Sequence, residues 1–376
     1  MLHTELDMMK GYLIASDFER SALPMRVFAV QPDDTAIHDL EVPTPSPEGR
    51  QVLLKVVRAG VCHTDTHLRA GGYDLGSRGM MSMKARGIEY PMVLGHEVVG
   101  VVEKVGDSVE SVRVGDVRLI YPWIGCGECR QCREGHDNRC AAGKNLGVAR
   151  HGGYAEYILV PDEKYLVDID GLDPSWAATL ACSGLTAYSA VDKVLPLEPD
   201  EPVVVFGAGG LGLTAIAILR SRGHRNICAV DVAERNLALA QDMGASSTVL
   251  SGPGSGADDI RRAAGGPASA VIDFVNNGIT ATAAFEVLAK AGIMVQVGLF
   301  GGEVTLPTAL LALRMIRIEG SFVGTPAQMQ ELVRLAQRGE LPHIPLVERP
   351  LSAAAVSQAL DDLTAGGIAG RIVLTA

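Results

Sequence analysis

The sequence predicts a two-domain protein of mixed class, in which a β-rich, barrel-like domain precedes an α/β domain built on a doubly wound parallel sheet. The chain has 376 residues, which is too long for one ordinary domain and suits two. Between residues 25 and 183, short apolar or alternating runs are punctuated by Gly and Pro, a pattern typical of strands joined by loops. From residue 184 onward, wholly apolar runs alternate with helical segments, which indicates βαβ units.

The first domain is predicted to comprise residues 25–183, and residues 326–376 are expected to rejoin it. Residues 1–24 form an N-terminal extension, either an ordered arm or a frayed tail, ahead of the first strand. Many short strands with long loops favour a barrel-like arrangement. The predicted strands are Arg26–Val30, Val52–Val57, Val98–Val105, Val117–Tyr121 and Tyr154–Val160.

The α/β domain is predicted to span residues 184–325. Its apolar strands have the composition of a parallel sheet that is buried on both faces. We expect the Gly-rich segment Ser251–Gly266 to be a loop. The predicted elements are strand Val203–Phe206, helix Leu211–Arg222, strand Ile227–Val230, helix Glu234–Met243, strand Ala270–Phe274, helix Thr280–Ala289 and strand Ile293–Val297.

Composition and charge restrict the classes of partner. The chain is 47% hydrophobic with a net charge of -11, so it can bury a large core and lacks the basic surface that nucleic-acid binding needs. No apolar stretch is long enough to span a membrane. The first ten residues lack the basic start and apolar core of a signal peptide, and we therefore expect a cytoplasmic protein with a small-molecule partner.

A glycine-rich turn in the α/β domain indicates a dinucleotide site. The turn follows a predicted strand and opens a predicted helix, the context in which a GxGxxG pattern becomes specific. Glycines there permit a tight turn and the close approach of the pyrophosphate, and the helix N-terminus offers free N–H groups to the phosphates. The pattern consists of Gly207, Gly209, Gly210 and Gly212.

An acidic residue favours NAD over NADP at this site. Asp231 ends the next predicted strand, 19 residues after Gly212. A carboxylate in that position accepts hydrogen bonds from the ribose hydroxyls and repels a 2′-phosphate. Arg235 is close enough in sequence to weaken that repulsion. A turn Asp that only caps the following helix is the alternative interpretation.

Four clustered cysteines predict a structural metal site. Their spacing is C-x2-C-x2-C-x7-C, and glycines are interspersed among them. Four thiolates on one polar segment match a closed, tetrahedral zinc site with no open position for a substrate. The spacing alone leaves an iron–sulfur cluster open as an alternative. The residues are Cys126, Cys129, Cys132 and Cys140.

The pattern of motifs along the chain resembles the zinc-dependent medium-chain alcohol dehydrogenases. The resemblance runs from about Met25 to the C-terminus and includes the four cysteines and the glycine turn. Taken singly, Cys62, His96 and Cys182 could be ordinary core residues. The remaining motifs of the resemblance are Gly60-Val61-Cys62-His63-Thr64-Asp65, Gly95-His96-Glu97 and Cys182-Ser183-Gly184-Leu185-Thr186.

The resemblance implies a GroES-like catalytic domain, a Rossmann cofactor domain and two zinc ions per chain. It assigns Cys62, His96 and Cys182 to the catalytic zinc, which needs three protein ligands and one open position. Asp65 is expected to orient His96 by hydrogen bonding to its far nitrogen. Glu97 is expected behind the metal.

The resemblance also implies reversible hydride transfer between a primary or secondary alcohol and NAD through a zinc-bound alkoxide. Thr64 and His67 occupy the positions of a proton relay, for which an imidazole suits because its pKa lies near working pH. His63 and Arg371 match positions that contact the pyrophosphate. Thr186 matches a residue beside the nicotinamide.

The substrate is not identified by the sequence. Tyr73, Tyr121 and Trp123 fall near pocket positions of the family, although plain core aromatics are an alternative. The stretch between Cys62 and His96 is about ten residues longer than expected, and this surplus within Gly71–Tyr90 is either a cover over the pocket or a surface insertion. The alternative functions are a polyol dehydrogenase and a noncatalytic zinc protein. By the resemblance we expect a homodimer or homotetramer.

Overall fold

The computed structural model describes residues 23–32, 34–253 and 255–376. The predicted N-terminal extension therefore lies outside the described residues, except for Leu23 and Pro24. Within the described chain, no helix has both the length and the apolar character that crossing a bilayer requires.

Short strands dominate the N-terminal half of the described chain and recur at its C-terminal end. The strands are β1 (Pro24–Gln31), β2 (Asp34–Pro43), β3 (Val52–Val61), β4 (Gly72–Asp74), β5 (Met80–Ser82), β6 (Met92–Val93), β7 (Glu97–Val105), β8 (Val117–Ile120), β9 (Tyr157–Val160), β10 (Leu166–Asp168), β11 (Val203–Phe206), β12 (Ile227–Asp231), β13 (Ser247–Leu250), β14 (Ala268–Asp273), β15 (Leu288–Gln296), β16 (Arg317–Gly320), β17 (Leu346–Pro350) and β18 (Arg371–Thr375).

Most of the helices lie after residue 184, in the α/β domain or in the C-terminal segment that follows it. They are α1 (His63–Arg69), α2 (Arg130–Arg133), α3 (Pro174–Thr179), α4 (Leu185–Val194), α5 (Gly210–Ser221), α6 (Glu234–Asp242), α7 (Ala257–Ala264), α8 (Gly278–Val287), α9 (Thr308–Arg314), α10 (Pro326–Gln337) and α11 (Ala353–Thr364). A π-helical turn, Leu180–Gly184, joins α3 to α4.

Strand β3 is the centre of the first domain. It pairs antiparallel with β7 on one side and with β18 on the other, and the larger sheet has the order β10–β8–β7–β3–β18–β17. The register places Gly60 opposite both Glu97 and Val373. Since β17 and β18 belong to this sheet, the C-terminal segment lies beside the strand that leads into Cys62.

The α/β domain contains a six-stranded parallel sheet of order β13–β12–β11–β14–β15–β16. All four residues of β11 are fully or almost fully buried, as expected for a central strand with helices on both faces. The predicted fold class is confirmed by this architecture.

The prediction of a loop over Ser251–Gly266 is wrong. Helix α7 occupies its second half and buries Ile260 and Ala264, while Gly256 and Gly265 lie just outside the two ends. The glycines that suggested a loop therefore delimit a short amphipathic helix.

The surplus segment Gly71–Tyr90 is structured rather than an extended loop. Strands β4 and β5 form a small antiparallel hairpin in which Tyr73 pairs with Met81. Short 3₁₀ turns cover Gly76–Arg78 and Lys84–Arg86. We call Gly72–Ser82 the cleft hairpin, because its tip reaches the α/β domain.

Candidate active site and metal centres

Cys62, His96 and Cys182 converge although they lie far apart in sequence. Cys62 follows β3 and precedes α1, His96 immediately precedes β7, and Cys182 lies in the π-helical turn. One ligand atom from each residue lies within 4.8 Å of the others, and all three residues are buried. The Nε2 atom of His96 has no hydrogen-bond partner among the described residues. Two thiols and a buried imidazole nitrogen form a donor set that fits zinc.

Asp65 holds the His96 side of this cluster. Its Oδ1 atom lies 3.3 Å from His96 Nδ1 and accepts the backbone N–H of Gly95 at 3.1 Å. Its Oδ2 atom accepts the backbone N–H of Cys62 at 3.0 Å and the Tyr154 hydroxyl at 3.0 Å. Asp65 therefore links the backbone at Cys62 to the backbone directly before His96, and so holds two of the three cluster residues near each other.

A buried ion pair lies behind the cluster. Glu97 is bonded to the guanidinium of Arg371, and it accepts the backbone N–H of Ser183 at 2.9 Å. Burial raises the pKa of Glu97 to about 7, although Arg371 opposes this rise. A Cβ on Gly60 would lie 2.1 Å from Glu97 Oε2, so the space for this carboxylate depends on a glycine in β3.

The four cysteines predicted to bind a structural metal also converge. Their Sγ atoms lie within 4.8 Å of one another, on a segment that contains only the short helix α2 and one 3₁₀ turn. The backbone N–H of Cys126 donates to Cys140 Sγ at 3.3 Å, and that of Cys129 donates to Cys126 Sγ at 3.4 Å. Backbone N–H groups of Glu128 and Cys129 lower the pKa of Cys126 to about 6. Such donors favour the thiolate form that a metal requires.

The glycine turn adopts the backbone that a pyrophosphate site needs. Gly207 has a φ of +84°, and a Cβ on Gly212 would lie 1.9 Å from the carbonyl oxygen of Gly207. Gly209 faces open space and caps α5 without a side chain. Arg371 packs against Gly210, and its buried Nε atom has no partner among the described residues. The Nε–H group of Arg371 and the N–H groups at the start of α5 are hydrogen-bond donors that fit an anionic cofactor group.

Asp231 and Arg235 make contacts within the protein. The Asp231 carboxylate accepts the backbone N–H groups of Ala208 at 2.7 Å and Ala233 at 2.9 Å. It therefore connects the glycine turn to the start of α6. Arg235 donates to the carbonyl oxygen of Gly366, beyond the end of α11.

Helix α1 places three predicted residues in the cleft. His63 packs against Phe300 of the α/β domain, with ring centroids 5.4 Å apart. His67 lies one turn further on and packs against Tyr73 of the cleft hairpin, with ring centroids 4.9 Å apart. Burial lowers the pKa of both histidines. Thr64 lies between them on the same helix, and Thr186 is buried in α4.

A cavity of about 920 Å³ lies between the cleft hairpin, the four-cysteine segment and the α/β domain. Its wall includes Tyr73, Met81, Asn145, Gln296 and Phe322. The wall is thus mixed in character, with polar as well as apolar and aromatic side chains.

The other two predicted pocket aromatics lie away from the wall of this cavity. Trp123 lies between His96 and Phe322, 5.4 Å from each ring. Tyr121 is a core residue, because its ring stacks on Tyr165 and its hydroxyl donates to the carbonyl oxygen of Gly324 at 2.8 Å.

Two family models match the chain. The model of the alcohol dehydrogenase GroES-like domain matches residues 48–171, and that of the zinc-binding dehydrogenases matches residues 210–338. The chain belongs to the zinc-dependent medium-chain alcohol dehydrogenase family. The family and the enzyme class predicted from the sequence, a zinc-binding alcohol dehydrogenase that uses NAD, are confirmed at this level.

Curated relatives and solved structures agree with this membership. The chain is 38% identical to an NAD-dependent alcohol dehydrogenase of Sulfurisphaera tokodaii, over 89% of this chain and 95% of that protein. It is 32% identical to a D-arabinose 1-dehydrogenase (NADP(+)) of Saccharolobus solfataricus, over 90% and 94%. The crystal structure of the alcohol dehydrogenase from Aeropyrum pernix superposes with a TM-score of 0.83 at 30% identity, covering 94% of this chain and all of that one (100%).

Several residues at the site are not predicted from the sequence. Tyr154, Phe322 and Glu303 belong to no motif, and Gly60 belongs to one without an assigned role; each reaches the site through a long-range contact. Only Gly60 has a local signal, because it directly precedes Val61-Cys62 in the motif that carries the resemblance.

Proposed function

We propose that this protein oxidises primary or secondary alcohols, reversibly, with NAD at a zinc centre formed by Cys62, His96 and Cys182. The observation that carries the proposal is the proximity of the buried metal-type cluster to the glycine turn. Arg371 joins the two, since it pairs with Glu97 behind the cluster and packs on Gly210. The site therefore has a place for a Lewis acid and a place for a hydride acceptor at the same cleft.

Zinc at the Cys62–His96–Cys182 cluster would lower the pKa of an alcohol hydroxyl and thereby prepare it for hydride loss. Asp65 orients His96 and favours the tautomer with the proton on Nδ1, which leaves the lone pair of Nε2 available to a metal. Glu97 and Arg371 neutralise each other in the buried region behind it. The second proposed zinc site, Cys126, Cys129, Cys132 and Cys140, has four protein donors and a structural role.

NAD would supply the hydride acceptor, and the chain would bind it at several points. The glycine turn and the N-terminus of α5 would bind the pyrophosphate, with Arg371 and His63 as further donors. Asp231 would accept hydrogen bonds from the ribose hydroxyls, and Arg235 would moderate its charge. Thr186 would contact the nicotinamide.

The proton released from the alcohol passes through α1 in this proposal. Thr64 accepts it near the cluster, and His67 releases it to solvent. Burial lowers the pKa of His67, so its imidazole is neutral at pH 7 and ready to accept a proton. Tyr73 packs on His67 and lines the 920 Å³ cavity. Trp123 lies behind that wall, between His96 and the wall residue Phe322, and we assign both aromatics to the substrate pocket.

We also propose that residues 25–183 and 326–376 form one domain and that residues 184–325 form the other.

We further propose that the protein assembles as a homodimer or homotetramer. Strand β16 ends the six-stranded sheet, and its residues are exposed. Leu313 and Met315, just before it, are 71% and 56% exposed. An exposed sheet edge beside an apolar patch suits pairing with a second copy.

A cytoplasmic location is supported by the seven cysteines, none of which forms a disulfide.

The proposed function is tested by metal analysis and an NADH absorbance assay on the purified chain. We expect two zinc ions per chain and alcohol-dependent formation of NADH across a panel of primary, secondary and aromatic alcohols. Cys182→Ser should lose one zinc and nearly all turnover, whereas Cys228→Ser, a substitution in the core of β12, should keep both.

Two results would redirect the proposal. Turnover confined to polyols would favour the polyol dehydrogenase, and turnover confined to sugars would match the D-arabinose 1-dehydrogenase to which the chain is similar. A folded chain that holds two zinc ions yet is inert to the whole panel with NAD and NADP would identify a noncatalytic zinc protein.

A further inference from the structure

The cleft hairpin connects the two domains across the cleft. At its tip, Ser77 Oγ donates to Glu303 Oε1 at 2.7 Å, and Glu303 follows β15 in the α/β domain. Gly76 is packed against the same side chain, since a Cβ there would lie 2.3 Å from Glu303 Cγ. Asp74 contacts Gly301 in the same way, at 2.8 Å from a Cβ placed on that glycine. The tip of the hairpin is thus held by the opposite domain.

The base of the hairpin contacts the proposed proton relay. Tyr73 lies in β4, and its ring packs against the imidazole of His67 with centroids 4.9 Å apart and planes inclined by 40°. A hydrogen bond with the Thr64 side chain lowers the pKa of the Tyr73 hydroxyl, against the larger effect of burial. Burial raises the pKa of Tyr73 to about 12, so the hydroxyl keeps its proton at working pH and acts as a hydrogen-bonding group only.

We propose that Tyr73 is a positioning residue for the relay pair Thr64 and His67, and that the Ser77–Glu303 contact holds the hairpin that carries it. The inference rests on the proposed function, which assigns the relay to those two residues. It goes beyond that function in giving Tyr73 a part in proton transfer in addition to its place in the pocket wall.

Two physical effects follow from the position of Tyr73. Its ring covers one face of the His67 imidazole, which restricts the ring and excludes water. Its hydroxyl restrains the Thr64 side chain, so that donor and acceptor of the relay are held by one residue. Small displacements of Thr64 or His67 would slow proton transfer, because that transfer needs hydrogen-bond distances.

Burial is also the largest cause of the lowered pKa of His67, ahead of repulsion by His63. Cys62 opposes both effects. On the elements packed against α1, the remaining charged groups are Asp74 in β4 and the pair Asp361 and Asp362 in α11. Asp361 is paired with Arg69 at 2.6 Å and Asp362 with Arg349 at 2.5 Å. Removing the Tyr73 ring would expose the imidazole while leaving these charges in place. The pKa of His67 would then rise.

The pH dependence of kcat for alcohol oxidation by the zinc-loaded enzyme tests the proposal. Only the neutral imidazole accepts a proton, so a rise in the pKa of His67 moves the acid limb of the pH profile of kcat to higher pH. We call this the limb below. We expect Tyr73→Ala to move the limb upward by about half a unit and to lower kcat by roughly tenfold. Tyr73→Phe keeps the ring, so its limb should stay at the wild-type pH while kcat falls by about threefold or less. Ser77→Ala should move the limb in the same direction as Tyr73→Ala, by a smaller amount.

Met81→Ala is the matched control, because Met81 lies opposite Tyr73 in the hairpin and lines the same cavity. It should change KM for bulky alcohols and leave the limb in place. If Tyr73→Ala behaves like Met81→Ala, Tyr73 is only a wall of the pocket and the proposal is overturned.

Folding and the relay itself need separate measurements. Each variant is compared with wild type by zinc content and unfolding midpoint. If Tyr73→Ala does not fold, the Ser77→Ala variant is the deciding one, because Ser77 is exposed and its substitution should not prevent folding. A wild-type limb and a wild-type kcat in Ser77→Ala would reject the proposal. A wild-type enzyme without alcohol turnover, or a His67→Ala variant with an unaltered limb, would instead reject the proposed function.

Discussion

Glycine 60 shows how a single missing side chain determines the geometry behind the cluster. Since β3 and β7 pair with Gly60 opposite Glu97, the carboxylate occupies the space that a Cβ would fill. From there it reaches both Arg371 and the backbone of Ser183. A charged pair in such a buried position is stable only when both partners are present and correctly placed.

The first prediction concerns this close contact. Gly60→Ala would place a Cβ 2.1 Å from Glu97 Oε2 and 2.8 Å from Glu97 Cβ, so the strand as well as the side chain must shift. We expect a loss of about 1–3 kcal/mol in the free energy of unfolding, measured with urea. Gly252→Ala is the control, because no atom lies within 4 Å of its Cβ position. Equal stability of the two variants would contradict the proposed constraint.

The second prediction distinguishes the two roles of Asp231. Its carboxylate binds two backbone N–H groups, so the capping role exists whether or not it also contacts the ribose. Asp231→Asn keeps one acceptor oxygen and removes the charge. We expect the ratio of kcat/KM for NAD over NADP to fall by roughly tenfold, as repulsion of the 2′-phosphate worth about 1.4 kcal/mol is lost.

Asp242→Asn, at the exposed end of α6, the helix that follows Asp231, is the control for Asp231→Asn. It should leave the ratio unchanged. An unchanged ratio in Asp231→Asn as well would mean that Asp231 serves only as a cap.

At the scale of elements, the four-cysteine segment has little regular structure of its own. It contains the four-residue helix α2 and one 3₁₀ turn, and three of its four cysteines are at least partly exposed. A segment with so small a core cannot offset its conformational entropy by burial. Its geometry therefore depends on the metal that the four thiols are proposed to hold.

The third prediction follows from this dependence. Cys132→Ser removes the buried thiol of the four, and we expect the zinc content to fall from two ions to one per chain. The melting temperature should fall by roughly 5–10 °C, because each kcal/mol lost shifts it by about 2–4 °C in a domain of this size. The control Cys228→Ser should keep both ions. Retention of two zinc ions by Cys132→Ser would show that this set does not bind the metal.

At the scale of the whole molecule, the two domains contact each other at several points around the cleft. Ser77 meets Glu303, His63 packs on Phe300, and Arg235 donates to the carbonyl oxygen of Gly366. These contacts come from different elements on both sides of the cluster. We therefore expect cofactor binding to depend on the relative position of the domains.

The fourth prediction concerns the exposed edge of the six-stranded sheet. Ile318 lies in β16 and is 37% exposed, and a charge there would be placed in the proposed contact between copies. Ile318→Asp should reduce the mass measured by light scattering towards the monomer mass of 39.6 kDa, or to the dimer mass if the wild type is a tetramer. Val114→Asp, at a 65% exposed position in the first domain, should leave the wild-type mass unchanged. An unaltered mass in Ile318→Asp would place the interface elsewhere.

Short patterns in the sequence are enough to predict the local chemistry of this protein. Cysteine spacing, the glycine turn after an apolar strand and the motif around Cys62 are short-range patterns, and each depends on the backbone of a few consecutive residues. Such patterns also predicted the main strands and helices of the α/β domain, and most of their bounds agree with the structure to within two residues, although β15 begins five residues before the predicted Ile293. They failed at Ser251–Gly266, where glycines at both ends concealed the short helix α7.

Which of these residues contact one another depends on long-range packing. The register of β3 against β7 and β18 places Gly60 beside Glu97 and brings Arg371 from the end of the chain to both the cluster and the glycine turn. The packing of the cleft hairpin placed Tyr73 on His67, and the packing of the core placed Tyr121 on Tyr165 instead of at the cavity. These contacts join residues that are distant in sequence, and a one-residue shift in register would abolish them without altering any local pattern.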